Sequence, residues 1–396
     1  MVPEAQSVVP PSPAAQRQAL REVGALFFQL GWIAFGGPAA HIALMRREVV
    51  IRRKWLTEQQ FLDLLGASNL IPGPTSTELA IYLGYARAGH LGLVLAGALF
   101  ILPAMFLVLA LAWAYGRYGS TPQVGAILYG IKPVIIAVIV QAIYALLPTA
   151  VKTWRLGLVV ALSAALYLLG LNPLIPLFGL SILVMLAENR ARLARTAGLG
   201  PMALAVPLTA AASSVAVGAV GFSLVVLLLT FLKIGATLYG SGYVLLAFLR
   251  DDFVHRLGWL TDHQLLDAIA VGQFTPGPVF TTATFIGYLT GGWLGGIVAT
   301  VGIFLPAFIF AAAVYPLVPR LRASPWAATF LDGANAAALG LMVAVAWQLA
   351  RSSIIDPVTA ILVLIATVLL IRSNVNSAWL VLGGAVVGIV ARLARG

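Results

Sequence analysis

Two Pro-Gly-Pro triplets interrupt otherwise apolar stretches of the sequence, and they constrain the fold more than any other feature. Residues 69–80 read NLIPGPTSTELA, and residues 273–284 read QFTPGPVFTTAT. Proline lacks a backbone N–H and fixes φ, and glycine adds freedom, so no regular helix is expected to pass through either triplet. In lipid, such irregular backbone is tolerated only where it is buried in protein or lines a water-filled cavity. The repeated break therefore indicates a functional cavity if the chain lies in a membrane.

The composition indicates a membrane protein. Of the 396 residues, 61% are hydrophobic and 9% are charged, whereas a soluble domain carries about 25% charged residues. Long apolar runs recur, for example at 91–114 and 134–147, and each is typical of a membrane-spanning helix. We therefore predict an all-α polytopic (multi-pass) membrane protein.

The charge pattern and the missing residue types exclude several function classes. The net charge is +11, but the Lys and Arg residues cluster in short connectors between apolar runs. The positive-inside rule and contact with anionic lipid explain that pattern, so no nucleic-acid partner is expected. The chain has no cysteine and no paired histidines with metal-binding spacing, so neither a metal site nor a cofactor is predicted. Walker A and hydrolase motifs are absent as well, which favours a secondary transporter over an enzyme or an ATPase.

The second half of the chain repeats the first. With an offset of 204, residues 27–74 and 231–278 share 16 identities in 48 positions, and these include two arginines, an aspartate and the Pro-Gly-Pro triplet. After the triplets one residue is lost and the offset becomes 203. A shared apolar composition would not place these residue types in one register, so we interpret the chain as an internal duplication.

The duplication divides the chain into four segments. We predict a disordered N-terminal tail at 1–20, a first repeat at 21–190, a linker at 191–220 and a second repeat at 221–396.

Each repeat is expected to contain a broken pair of helices. A first apolar helix is predicted at about 22–37 and again at about 222–240, followed by a polar connector that carries arginines. Thr57 and Thr261 are predicted N-caps of the next helix, with Gln60 and Gln264 completing capping boxes. The Pro-Gly-Pro triplet ends that helix, and another helix leaves from its second proline.

The second repeat is predicted to have inverted topology. If the two helices around each triplet enter the membrane and return, about five spans per repeat remain, and an odd number turns the second repeat upside down. Residues 46–54 hold five Lys or Arg and one Glu, whereas 250–258 hold two Arg and two Asp. The positive-inside rule then places the first connector in the cytoplasm and its counterpart outside. A parallel duplication stays open.

A helix that begins inside the membrane is a candidate anion site. Its first N–H groups are unpaired and its dipole presents positive charge, so it attracts an anion without a charged side chain. Hydroxyl groups follow both triplets, at Thr75, Ser76 and Thr77 and again at Thr281 and Thr282. Helix breaks at matching places in two repeats indicate a substrate site near the membrane midplane. The alternative is a simple kink whose hydroxyls bond back to the preceding turn.

Charged residues near the breaks add further candidates. Glu78 is an acid inside an apolar run, so it is a candidate for proton coupling, although a carboxylate at a helix N-terminus is also stabilised by the dipole. Arg46 and Arg250 are candidate ligands because guanidinium donates two parallel hydrogen bonds to an oxyanion. Lys132 and Lys233 are expected to extend to the membrane interface.

Residues 35–97 contain four motifs: FGGP-x-x-HI from Phe35, ExV-x-RR-x-WL from Glu48, PGP-x-ST from Pro72 and GY-x-RAG from Gly84. With these motifs the segment resembles the signature region of the chromate ion transporter family in its long, two-domain form. One departure is Ala40, where the family usually has glycine. The second half has Gly-Ser-Gly at 240–242 instead of GGP, so the two repeats are not expected to contribute equally.

This resemblance implies export of chromate from the bacterial cytoplasm, through the inner membrane, with chromate resistance as the result. It adds five candidates to the substrate-binding set: Gly36, Gly37, His41, Asn69 and Gly73. The structural break is assigned to five further residues: Pro72, Pro74, Pro276, Gly277 and Pro278.

The residues leave two transport classes open. One is a secondary exporter of chromate driven by the membrane potential, with or without a proton. The other is a transporter or channel for sulfate or a related oxyanion, because both anions are tetrahedral dianions that need the same hydrogen-bond donors. The expected partners are the oxyanion and the lipid bilayer, and a homodimer is left open.

Overall fold

The structure is a computed structural model that describes residues 12–35, 37–190, 192, 221–239, 244–315, 324–373 and 375–394. Every regular element among these residues is a helix. The first repeat comprises α1 (Pro13–Ile33), α2 (Gly37–Arg46), α3 (Glu58–Ser68), α4 (Thr75–Tyr118), α5 (Pro122–Ala150), α6 (Trp154–Leu168) and α7 (Leu180–Glu188). The second comprises α8 (Leu224–Thr237), α9 (Leu245–Leu249), α10 (Asp262–Phe274), α11 (Thr282–Val314), α12 (Pro325–Ser353), α13 (Pro357–Arg372) and α14 (Ser377–Leu393). Short π-helical segments at Arg47–Arg52, Ile175–Gly179 and Arg250–Arg256 and a 3-10 turn at Val279–Thr281 complete the helical elements.

Four of the described helical segments are long and apolar enough to cross a membrane. They are Thr75–Tyr118, Pro122–Ala150, Val279–Val314 and Pro325–Ser353, two from each repeat. The prediction of an all-helical chain with membrane-length apolar helices is confirmed.

The two repeats share helix boundaries as well as sequence. α5 and α12 each have 29 residues, begin at a proline and start 203 positions apart. The capping boxes predicted at Thr57 and Thr261 are both present: each hydroxyl accepts from the N–H of Gln60 or Gln264, and the glutamine accepts from the cap N–H. The register derived from sequence therefore holds along the helices.

Both α4 and α11 turn back on themselves at a pair of residues with non-helical backbone angles. In α4 the pair is Ala88 and Gly89, and Gly89 has a φ of +65°, which glycine adopts without a steric penalty. A Cβ on Gly84 would lie 2.3 Å from the carbonyl oxygen of Gly92. Residues eight apart in a straight helix are separated by about 12 Å, so 75–87 and 90–118 form a tight hairpin. α11 repeats this arrangement at Gly291 and Gly292.

The long helices after the hairpins pair across the repeats. α5 packs against α13 and α14 of the second repeat, and α12 packs against α6 and α7 of the first. α4 and α11 also pack against each other, while α1 and α8 each pack against the hairpin of their own repeat. The largest cluster of buried apolar side chains accordingly draws on both repeats.

The first helix of each repeat differs from the prediction at its ends. α1 begins at Pro13 because the Ser12 hydroxyl accepts from the Ala15 N–H and proline suits the first helical position. The predicted tail is therefore wrong for residues 13–20, while 1–11 lie outside the described residues. α1 and α8 end at Ile33 and Thr237, earlier than predicted.

Several other predictions concern residues that the structure does not describe. Gly36, the Gly-Ser-Gly segment at 240–242 and, apart from Arg192, the linker at 191–220 all lie outside the described residues.

The close approach of Gly84 and Gly92 predicts a sharp size limit in the α4 hairpin. Gly84→Val should lower the melting temperature of the detergent-solubilised protein or prevent its folding, because overpacking usually costs about 1–3 kcal/mol. Gly125→Ala is the control, since no heavy atom lies within 4 Å of a Cβ there. Melting followed by tryptophan fluorescence provides the measurement, and an unchanged melting temperature in Gly84→Val would contradict the hairpin.

Candidate substrate-binding site

The two Pro-Gly-Pro segments are held by reciprocal hydrogen bonds between the repeats. The Gly73 N–H donates to the carbonyl oxygen of Leu238, and the Gly277 N–H donates to that of Ala34, each at 2.8 Å. Leu238 and Ala34 are equivalent residues at the C-terminal ends of α8 and α1. Each break thus closes the first helix of the opposite repeat. The Gly73 N–H, a predicted substrate contact, is already used in this bond.

A cavity of about 400 Å³ opens between the two breaks. One side consists of Pro74, Thr75 and Ser76 from the first break, and another of 278–280 from the second. The remaining lining residues are Pro38, Ile42, Asn69, Ile71, Leu146, Thr149, Ala150, Val244, Asn335, Ala338, Leu339 and Met342. A water molecule occupies about 30 Å³, so a small anion fits here together with several waters.

The cavity lies at the N-terminus of α4. The N–H groups of Thr77 and Glu78 donate to the Pro74 carbonyl oxygen, at 2.7 and 3.0 Å. The N–H groups of Thr75 and Ser76 have no hydrogen-bond partner among the described residues. These two N–H groups, together with the helix dipole, provide the positive potential that an anion requires.

The other polar groups of the lining are neutral donors. Asn69 and Asn335 present amide groups and Thr75 presents a hydroxyl, whereas the Thr149 hydroxyl donates to the Leu146 carbonyl oxygen at 2.8 Å. Among the described lining residues there is no charged side chain. An anion in this cavity would therefore be bound by dipoles and hydrogen bonds rather than by an ion pair.

His41 connects α2 to the break. Its side chain is buried, with Nε2 3.0 Å from the Ala34 carbonyl oxygen and Nδ1 3.3 Å from the Ser76 Oγ. Since a carbonyl only accepts, Nε2 carries the proton in this contact, and in the neutral ring Nδ1 accepts from the Ser76 hydroxyl. A doubly protonated ring would reverse this bond and leave the Ser76 hydroxyl proton for an anion. His41 therefore positions Ser76 without lining the cavity.

Glu78 lies behind the lining, close to Gly73. It is fully buried, and neither carboxylate oxygen has a hydrogen-bond partner. A Cβ on Gly73, whose φ is +141°, would lie 2.3 Å from the Glu78 Oε1, so this position accepts only glycine. The Thr77 and Tyr82 hydroxyls are also buried without a partner. Because such groups are costly to bury, their presence together favours a functional role.

The second break is built differently. The hydroxyls of Thr281 and Thr282 donate to the carbonyl oxygens of Pro278 and Val279, both at 2.8 Å, and both side chains are buried. This is the back-bonding geometry of the alternative interpretation. Thr281 and Thr282 do not line the cavity, so the predicted symmetry between the two sets of hydroxyls is not seen.

The connector arginines form ion pairs that are the same in both repeats. The Nε of Arg46 lies 2.7 Å from Glu58, and that of Arg250 lies 2.7 Å from Asp262. Both pairs attach the connector to the first turn of the following helix. Neither arginine lines the cavity, and the Arg46 side chain is 47% exposed. The structure therefore does not bring these two predicted ligands to the other candidates.

The lysines also have acidic partners. The Nζ of Lys132 lies 3.0 Å from Asp267, with both side chains largely buried, and that of Lys233 lies 2.5 Å from Asp252. The prediction that Lys132 extends to the membrane interface is wrong, because Asp267 offers a partner inside the protein.

The structure thus brings part of the predicted set together. Asn69, Thr75 and Ser76 line the cavity, and His41 and Gly37 are buried beside it through α2. Sequence reasoning missed Thr149 and Asn335, which come from α5 and α12. Asn335 is a lone amide in the small-residue run GANAAA, and that local contrast is the signal that could have identified it.

Comparison with known proteins identifies relatives along nearly the whole chain. The family model described as chromate transporter matches residues 21–187 and 225–389 separately, which confirms the duplication. A chromate transport protein of Cupriavidus metallidurans is 33% identical over 386 residues, covering 95% of this chain and 94% of that protein. A chromate transport protein of Pseudomonas aeruginosa is 36% identical over 335 residues, covering 83% and 80%. A probable chromate transport protein of Synechococcus elongatus is 33% identical over 359 residues, covering 88% and 89%. No solved structure matches.

The unequal hydroxyl groups predict unequal effects on oxyanion affinity. Thr75→Val removes a hydroxyl from the cavity and should weaken chromate binding about ten- to a hundredfold, since a hydrogen bond to an ion contributes about 1.5–3 kcal/mol. Thr281→Val is the matched control, because its hydroxyl bonds to Pro278 and faces no cavity. Calorimetric titration of the purified proteins measures both affinities. An equal loss in the two variants would contradict the site.

Proposed function

Since the chain belongs to the chromate transporter family, we propose that it is a secondary transporter that exports chromate from the bacterial cytoplasm and so confers chromate resistance. The observation that carries this proposal is the cavity between the two breaks, where the unpaired N–H groups of Thr75 and Ser76 begin α4. The relatives named chromate transport protein support the substrate.

Chromate is a tetrahedral dianion with four oxygen acceptors. In the proposed complex, the Thr75 and Ser76 N–H groups and the Thr75 hydroxyl bind one side of the ion. The amides of Asn69 and Asn335 donate from the other sides of the cavity. Neutral donors suit transport, because binding that is strong enough to capture the ion must still permit its release.

We further propose that the two repeats have inverted topology and lie in the bacterial inner membrane. Two observations support an axis of twofold pseudosymmetry between the repeats. Gly73 and Gly277 form reciprocal hydrogen bonds, and α5 and α12 each pack against helices of the opposite repeat. The excess of Lys and Arg in 46–54 over 250–258 supports an axis in the membrane plane. Substrate sites of such transporters lie at the interface between the repeats, as this cavity does.

The driving force follows from the charge of the substrate. One elementary charge moving across 100 mV is worth about 2.3 kcal/mol, so a dianion that leaves a negative interior gains roughly twice that. Glu78 is the proposed coupling group, because it is a buried carboxyl without a partner beside the break.

Flux measurements in everted membrane vesicles test the function directly. Labelled chromate should accumulate inside everted vesicles that maintain a potential positive inside, and collapsing the potential with valinomycin and potassium should reduce the initial rate severalfold. Unlabelled chromate should compete better than sulfate. Rates that do not depend on the potential would contradict potential-driven export, and preferential competition by sulfate would contradict the substrate.

The position of Glu78 predicts a specific change in pH dependence. Glu78→Gln keeps the shape of the side chain but removes its ability to exchange a proton, so transport should lose its dependence on an imposed pH gradient while chromate still binds. Glu58→Gln is the matched control, because Glu58 is exposed and pairs with Arg46. The measurement is chromate flux in both variants with and without the pH gradient. Unchanged gradient dependence in Glu78→Gln would exclude this residue as the coupling group.

A further inference from the structure

The residues equivalent to the cavity lining surround the second break, and there they form no open cavity among the described residues. The offsets of 204 before the break and 203 after it map Asn69 onto Gln273 and Asn335 onto Lys132. Asn69 and Asn335 are exposed to the cavity, whereas Gln273 is 8% exposed and the Lys132 side chain is 16% exposed. The two repeats thus place equivalent polar residues in opposite surroundings.

Apolar residues show the same contrast. Leu146 lines the cavity and is partly buried, but its equivalent, Leu349, is fully buried. Ile42, another lining residue, is partly buried, whereas its equivalent, Leu246, is 2% exposed. These side chains are therefore more exposed around the first break than their equivalents are around the second.

The region around the second break retains donors that are not fully used. The Gln273 Nε2 is buried and has no hydrogen-bond partner. The charge of Lys132 is balanced by Asp267 at 3.0 Å, and Asp267 also accepts from the Tyr115 hydroxyl at 2.7 Å. These groups connect α5 and α4 of the first repeat to α10 of the second.

The fold itself does not require this ion pair. The equivalent helices in the other repeat carry Asn335 in place of the lysine, and the equivalent aspartate, Asp63, accepts from Gln59 on its own helix. A buried ion pair also contributes little net stability, because desolvation offsets the attraction. A charged pair inside an apolar region therefore favours a functional role for Lys132.

We propose that the region around the second break is a second oxyanion site, in which Lys132 and Gln273 are the donors, and that it is closed in this structure. It opens to the opposite side of the membrane when the two repeats exchange conformations, and the dianion then replaces Asp267 as the partner of Lys132. This inference rests on the proposed transport function and adds a site and a ligand to it. Repeats of inverted topology permit such an exchange, because each conformation is available to either repeat.

The absence of cysteine from the chain makes a direct test possible. Leu146→Cys and Leu349→Cys place single thiols at equivalent positions of the open and closed regions. Val345→Cys is the buried control, because it lies one turn from Leu349 and its equivalent, Ala142, does not line the cavity. The full-length variants are labelled with a membrane-impermeant thiol reagent in right-side-out and in everted vesicles, with and without chromate, and chromate flux is recorded in the same vesicles.

The expected result is labelling of the two positions from opposite sides. The thiol at 146 should react from one side without chromate, while the thiol at 349 should react from the other side at a rate that chromate raises severalfold. Asp267→Asn should raise the rate at 349 without chromate, because it removes the partner of Lys132. A thiol at 349 that stays unreactive in vesicles with measured flux, or that reacts from the same side as 146, would overturn the proposal. Loss of flux in the parent chain would instead contradict the proposed function.

A second measurement tests Lys132 as a ligand. Lys132→Asn installs the residue of the other repeat and should raise the KM for chromate about tenfold, measured from the side on which the second site opens, with a smaller effect from the other side. Lys132→Arg should retain most of the affinity, because it keeps the charge. Equal KM values from both sides in Lys132→Asn and the parent would exclude Lys132 as a ligand.

Discussion

This structure depends on one constraint: the backbone N–H and C=O groups at the helix breaks need hydrogen-bond partners inside an apolar protein. Hydrocarbon contains no water that could hydrogen-bond the N–H and C=O groups of a loop or a helix end, so these groups need partners within the protein. Here each break donates the N–H of its glycine to the terminal carbonyl of the first helix in the opposite repeat, Gly73 to Leu238 and Gly277 to Ala34. Two irregular segments and two helix ends are thereby stabilised together.

These hydrogen bonds between the repeats also position the proposed substrate site. Because the breaks meet the opposite repeat, the N-terminus of α4 opens onto the interface between repeats and not onto lipid. The N–H groups of Thr75 and Ser76 are then left for a ligand, in a cavity completed by α5 and α12. In the proposed complex the potential that attracts the anion comes from backbone dipoles, whereas the connector arginines pair with Glu58 and Asp262.

The two repeats share the contacts that hold their helices together but differ in the residues that face the cavity. The ion pairs of Arg46 and Arg250, the capping boxes and the hairpin glycines occur in both repeats with the same geometry. The residues that face the cavity differ, as Asn335 and its equivalent Lys132 show. Features that hold helices together are thus symmetric, whereas features that could contact a ligand are not.

The sequence by itself determined the helical membrane class, the duplication and its register, the N-caps at Thr57 and Thr261, and the segment that carries Thr75 and Ser76. These depend on composition, periodicity and contacts within one turn of helix, which neighbouring residues specify. Only the tertiary structure decided that Thr281 bonds back to its own turn, that Arg46 pairs with Glu58, and that Asn335 joins the cavity. The physical reason is that a hydroxyl, a guanidinium or an amide has several possible partners, and long-range packing alone determines which of them lies within reach.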